Sequence, residues 1–329
     1  MTRGATMLRK LEVDALKADL SAVDAMLTSF TEDDDPIGWY QFSARKEEIE
    51  QALDQLVSRP VTHAELGVFF GGRPVQGSRG INADFAGKAL EDLQALVSKR
   101  YSGREFGRLA QRGPVPGGDT SQMLVTNIVR GSVGFVLEES GNDAQLVETP
   151  LKEAVDEVAD ILSRVGADDE AVFEEAAAEL DERLLVTLRQ FFQRLDDFGA
   201  TMRVVDGTRD FLLDRHAVSR ARERTQAMEI VERNAEMTGT LYVLPESKRF
   251  DFLTTIEGQQ ATLKGTLSAF VFGQIHGQGT DEQPPVDPRD IPQTPWVVEI
   301  RTRELSERNR APRLVHTLQR LVRPEPSDN

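Results

Sequence analysis

Thr240-Leu-Tyr-Val-Leu244, Arg249-Phe-Asp-Phe-Leu253 and Ala261-Thr-Leu-Lys-Gly265 decide the reading of this chain. Leu241 and Val243, Phe250 and Phe252, then Ala261 and Leu263 recur at every second position. A period of two places them on one face of a strand. Glu257-Gly258 supplies a turn between the second and third stretches. Trp296–Ile300 and Leu314–Val322 read as two further strands. Between them and the apolar run Ser268–Ile275 lies a long loop, 277–295, holding Pro284, Pro285, Pro288, Pro292 and Pro295. Short strands in this order predict a small antiparallel barrel.

Working outward, the pattern upstream alternates between helix and strand. Asp214 is positioned to cap a basic helix running through Arg224, and Met202–Val205, Asp206-Gly207 and Phe211–Leu213 read as strand, tight turn and strand. Asp168–Phe198 reads as one long helix with its acids at the start, where they suit the positive end of the helix dipole. Thr149-Pro150 opens another helix, with a hydroxyl cap and Pro at its first position. Leu66, Val68, Phe69 and Phe70 form a short strand, Asn82 caps a helix near 83–100, and two more strands cover 123–129 and 133–137.

At the N-terminus, Val13, Leu16, Leu20, Val23, Leu27 and Phe30 follow a 3-4-3-4-3 spacing, which draws one narrow apolar stripe along a helix. Thr31–Pro36 interrupts it, and Phe42, Ile49, Leu53 and Leu56 mark a second helix. The expected fold class is therefore α+β. It comprises a coiled-coil-like helical hairpin (1–60), a small α+β domain (61–145) and a helical segment with a short β-hairpin (146–225). A barrel-like domain (226–323) and a disordered tail (324–329) complete it.

Composition excludes several classes. The 329 residues contain no Cys, which removes disulfides, thiolate metal sites and a Cys nucleophile. No apolar run approaches the roughly 18 residues of a membrane span, and Met1–Lys10 lacks the core of a signal peptide, so cytoplasmic residence is expected. The net charge of −16 opposes non-specific binding to a phosphate backbone. That charge is uneven: acids gather at 31–35 and 166–183, while Arg301, Arg303, Arg308, Arg310 and Arg313 make the C-terminal strands locally basic.

The chemistry-bearing candidates are few. Gly72-Arg-Pro-Val-Gln-Gly77-Ser78-Arg79 has the glycine spacing of a phosphate-binding loop, but Ser78 stands where that loop needs Lys. A hairpin turn with a flexible connector is the preferred reading. Glu299 on a predicted strand, with Asp287 and Asp290 upstream, echoes a metal-dependent nuclease core, but Arg301 replaces the Lys that would act as base. His63, His216, His276 and His316 are scattered too widely for metal-ligand spacing. No cofactor, metal or catalytic set is expected.

Phe69-Phe-Gly-Gly-Arg-Pro-Val-Gln-Gly77 with Arg130-Gly-Ser-Val-Gly-Phe135, and Met237-Thr-Gly-Thr-Leu-Tyr-Val-Leu244 with Arg249–Phe252 and Leu263–Gly265, resemble uncharacterised bacterial proteins. Those proteins join a small α+β unit to a C-terminal barrel. The resemblance covers most of 64–275, implies that architecture and carries no activity. The expected function is non-enzymatic protein interaction or assembly, through Leu16, Leu20, Val23, Leu27 and Phe30, with another protein or a second copy. A nucleic-acid-binding accessory role, through Arg301, Arg303, Arg308, Arg310 and Arg313, is the alternative. An enzyme with a non-standard phosphate or metal site ranks third. No membrane partner is expected.

Overall fold

The computed structural model describes residues 8–29, 31–58, 61–107, 113–129, 133–140, 147–256, 258–278, 284–307 and 312–324. The chain groups into two units. One comprises Met1–Phe173 and Thr187–Arg222, the other Glu174–Val186 and Glu223–Asn329. No described helix is long and apolar enough to cross a membrane.

The first unit begins with α1 (Arg9–Ser29) and α2 (Pro36–Ser58). The turn between them is built from its acids. Asp34 accepts from the Thr31 amide and hydroxyl at 3.1 and 2.6 Å, and Asp35 accepts from the Gly38 amide at 3.0 Å. Asp35 thereby caps α2, whose first N–H groups need acceptors, while Asp34 closes the turn back onto Thr31. The helices pack chiefly on each other, burying Val23 and Ile49. Just before α1, the buried Leu8 packs with Phe69, Val136 and Val205, and Leu11 lies against that cluster.

Next come β1 (Glu65–Gly72), the short strands β2 (Val75–Gln76) and β3 (Gly80–Ile81), α3 (Ala83–Glu105), β4 (Met123–Val129), β5 (Val133–Glu139) and α4 (Pro150–Gly166). They are followed by α5 (Glu170–Glu179) and α6 (Glu182–Asp197), whose stretch Glu174–Val186 belongs to the second unit, then β6 (Ala200–Val205), β7 (Asp210–Leu213) and α7 (Arg215–Ala227), which passes into the second unit at Glu223. The sheet order is β4-β5-β1-β6-β7, antiparallel throughout. The stretches 61–145 and 146–225, expected as separate domains, thus share one sheet, because β6 pairs with β1 along Gly67–Gly72. Within it, α4 starts as the Thr149-Pro150 pair predicts: the Thr149 hydroxyl accepts from the Lys152 amide at 3.1 Å. The expected single helix over Asp168–Phe198 is two, α5 and α6. Asp181 restarts the second by accepting from the Leu184 amide at 2.7 Å, a local bond that competes with helix continuation.

The second unit holds β8 (Met228–Leu244), β9 (Arg249–Ile256), β10 (Gln259–Leu267), α8 (Ala269–Ile275), β11 (Trp296–Glu307) and β12 (Arg313–Pro324). These five strands close a barrel in the order β10-β12-β11-β8-β9. Leu241, Phe250, Phe252, Val298, Ile300 and Leu318 fill its interior, as the period-two alternation requires. The expectation of an antiparallel barrel needs one correction: β10 and β12 run parallel. An odd number of strands cannot alternate in direction all the way around a ring, so one pair must be parallel. The run Ser268–Ile275 is a short helix. Ser268 caps it by accepting from the Val271 amide at 3.2 Å.

Candidate functional site

The feature with the most developed geometry in the first unit is a cavity of about 620 Å³ at the end of β1, lined by Arg73, Pro74, Arg79, Asn82, Asp197 and Phe198. The chain enters it through Gly72, whose φ of +80° a side chain would resist. The stretch that resembles a phosphate loop is a hairpin. Val75 pairs with Ile81 and Gln76 with Gly80, and the neighbours of β1 are antiparallel, so the strand-to-helix frame of a nucleotide loop is not present. Asn82 closes the turn, donating its amide to the Pro74 carbonyl at 2.9 Å and capping α3 through Phe85 N–H at 2.9 Å.

Opposite this turn, the chain leaves α6 through Gly199, which has a φ of +62°. The Arg73 amide donates to the Gly199 carbonyl at 3.1 Å, and Arg73 Nη2 reaches the Asp197 carbonyl at 3.3 Å. A methyl group on Gly199 would collide with both Arg73 Nε and Arg215 Nη1, so two guanidinium groups lie against the same bare backbone. The two nearby carboxylates are already engaged: Arg222 Nη1 bonds Asp196 at 2.6 Å and Asp197 at 2.9 Å. None of Arg73, Arg79 and Arg215 pairs with a carboxylate among the described residues. Arg73 and Arg79 belong to the loop quoted from the sequence. Arg215 belongs to the basic helix that follows Asp214, and no sequence signal ties it to them.

The hairpin residues singled out by spacing are placed as follows. Val23 is buried, and Leu16, Leu20 and Leu27 are half-buried, on the helix that packs on α2. Phe30 lies outside the described residues. The strongest exposure in the hairpin is elsewhere: Ile37 and Tyr40 are each 73% exposed and Met26 is 44% exposed, around the acidic turn. Ile37 and Tyr40 fall outside the Phe42-Ile49-Leu53-Leu56 stripe, and that was the signal available for them.

The described C-terminal arginines differ in burial. Arg303 is buried on the outer wall of the barrel, where its guanidinium donates to the Ala178 and Leu180 carbonyls. Arg301 is half-buried, and Arg313 is exposed. Arg308 and Arg310 lie outside the described residues. Glu299, the nuclease-like candidate, accepts from Asn234 at 2.9 Å and pairs with Arg320 at 3.6 Å across the sheet. Among the described residues no group of His, Asp and Glu is arranged to hold a metal. Burial lowers the pKa of His316, whose Nδ1 lies 2.9 Å from the Thr302 hydroxyl.

One carboxyl stands apart electrostatically. Burial pushes the Glu65 pKa up to about 7, and Glu138 opposite it on β5 adds to the effect, as does Asp206; Arg9 opposes them. Its Oε1 is buried without a hydrogen-bond partner. In comparisons with known proteins, the chain matches no family model, no curated protein sequence and no solved structure.

Proposed function

We propose that this chain is a non-enzymatic interaction or assembly protein that docks a protein partner with the turn end of its helical hairpin. The observation that supports this reading is the exposure of Ile37, Tyr40 and Met26 at that end. Large apolar side chains grouped on a monomer surface mark interaction sites more often than chance scatter. The 21 residues of α1 carry this end about 30 Å from the sheet-anchored Leu8. Glu32, Asp33, Asp34 and Asp35 rim it with negative charge. The matching partner surface is apolar at its centre and basic around it, and a second copy meeting turn to turn would set acid against acid.

The test is co-purification at native expression with Ile37→Asp/Tyr40→Asp beside the wild type. Both positions are exposed, so the fold is expected to survive. The wild type should retain a protein that the variant loses and that dissociates as salt rises. Identical recoveries from the two chains would sink the reading, as would self-association that persists in the variant.

A second reading has its own observation. The barrel has five strands in Greek-key connectivity with α8 between its third and fourth, the arrangement of oligonucleotide-binding barrels. The likeness is one of fold alone. The outer face of β8–β10 exposes Tyr242, Leu253, Arg249 and Lys264. Single-stranded DNA or RNA should then bind at low salt and lose affinity in Tyr242→Ala/Lys264→Glu. No binding at low salt removes this reading.

A further inference from the structure

We propose that the cavity at the end of β1 binds a small phosphate monoester, gripped by its lining residues Arg73 and Arg79, with Arg215 beside Arg73 across Gly199. The inference is independent of the docking reading above and rests on a different part of the first unit.

Arg222, Arg203 and Arg194 each pair with a carboxylate. Arg73, Arg79 and Arg215 have none among the described residues, although Asp197 lines the same cavity. Arg222 holds that carboxylate and its neighbour Asp196. Arg73 and Arg215 both press against Gly199, so like charges are drawn together without a counter-charge. A bound dianion would relieve that repulsion.

The donor geometry favours phosphate. Each guanidinium offers a rigid fork of N–H groups and cannot lose its proton in the working range. A phosphate monoester presents three terminal oxygens, enough for three forks to share. Arg73 is already oriented by the Asp197 carbonyl, which leaves its remaining donors directed elsewhere. The positive end of α3 adds to the field, since its cap Asn82 lines the cavity. This is a side-chain grip, unlike the backbone cradle of a nucleotide loop, so the missing Lys at Ser78 does not weaken it.

The volume says that phosphate is not the whole ligand. About 620 Å³ falls within the range of pockets for small organic molecules. Phe198, Pro74 and Ile81 supply apolar wall for the body of such a molecule. The shared chemistry is a phosphate monoester on a small organic body, and either a nucleoside or a sugar could carry it.

Calorimetric titration of the full-length chain at low ionic strength tests this, with AMP, glucose 6-phosphate and unphosphorylated adenosine as probes. AMP, glucose 6-phosphate or both should bind saturably at one site, and which of them binds identifies the body. Arg73→Gln and Arg215→Gln should each weaken that binding about tenfold or more, while Arg313→Gln leaves it unchanged. A second measurement needs no variant. The ligand should protect Arg73 and Arg215 of the wild type from phenylglyoxal, read by mass spectrometry. The proposal is overturned if neither phosphorylated probe binds, if adenosine binds as well as AMP, or if the arginines are modified equally with and without ligand. Binding undiminished in both variants overturns it too.

Discussion

Gly134 and Gly67 are held to glycine by what lies above them. A Cβ on Gly134 would enter the Phe69 ring, and one on Gly67 would strike Leu8. Phe69 and Leu8 are both buried, so neither has room to retreat. Gly134→Val is expected to lower stability by about 1–3 kcal/mol through overpacking, measured by urea denaturation. A wild-type midpoint would show that the ring moves freely. Glu65 gives a pH-dependent counterpart. Its folded pKa of about 7 lies above the ordinary 4.5, so the native state binds the extra proton between those values. Stability therefore falls as pH rises from about 4.5 through 7, and the loss is complete above 7. Glu65→Gln should be more stable than wild type by about 2–3 kcal/mol at pH 8, with the advantage vanishing toward pH 4.5. A difference that stays constant with pH would contradict this account.

Among the elements, α4 shows how local signals and tertiary contacts combine. The Thr149 hydroxyl accepts from Lys152 N–H and also donates to Glu139 Oε2 at 2.6 Å, and the Thr149 amide bonds the Thr62 carbonyl at 2.8 Å. Thr149→Ala should cost about 1–2 kcal/mol, the upper range of a cap because Glu139 loses a donor as well. Thr149→Ser should restore most of it, and failure to do so would mean that the methyl group matters more than the cap. The Thr-Pro signal was legible in sequence; its link to β5 was not. In the barrel wall, charge alone suggests Arg303 as a nucleic-acid contact. It is instead fastened to the carbonyls that close α5, where a cation suits the negative helix end. Arg303→Met is expected to destabilise the protein by about 2–4 kcal/mol, because two carbonyls lose charge-assisted bonds. An unchanged melting temperature would return Arg303 to the list of surface charges.

At the scale of the whole molecule, the net charge of −16 and a sequence pI near 4.8 set solution behaviour. Light scattering should show repulsion between molecules at pH 8 and attraction near pH 5, since net charge keeps molecules apart. Repulsion that persists near pH 5 would show that another force keeps the molecules apart. Local signals along the chain specify the α+β class, the helical hairpin and the strands of the barrel. Those features follow from side-chain periods and caps, which act over a few residues: Leu241 with Val243, Phe250 with Phe252, Thr149 with Pro150. The pairings of distant segments emerge only in the folded chain. It placed β6 beside β1, so one sheet joins stretches that composition separates, and it closed five strands with one parallel pair. It buried Arg303 and left Ile37 and Tyr40 exposed. It also brought Arg215 to Arg73 across Gly199. Periodicity reports which face a residue occupies; only the folded chain determines what that face meets.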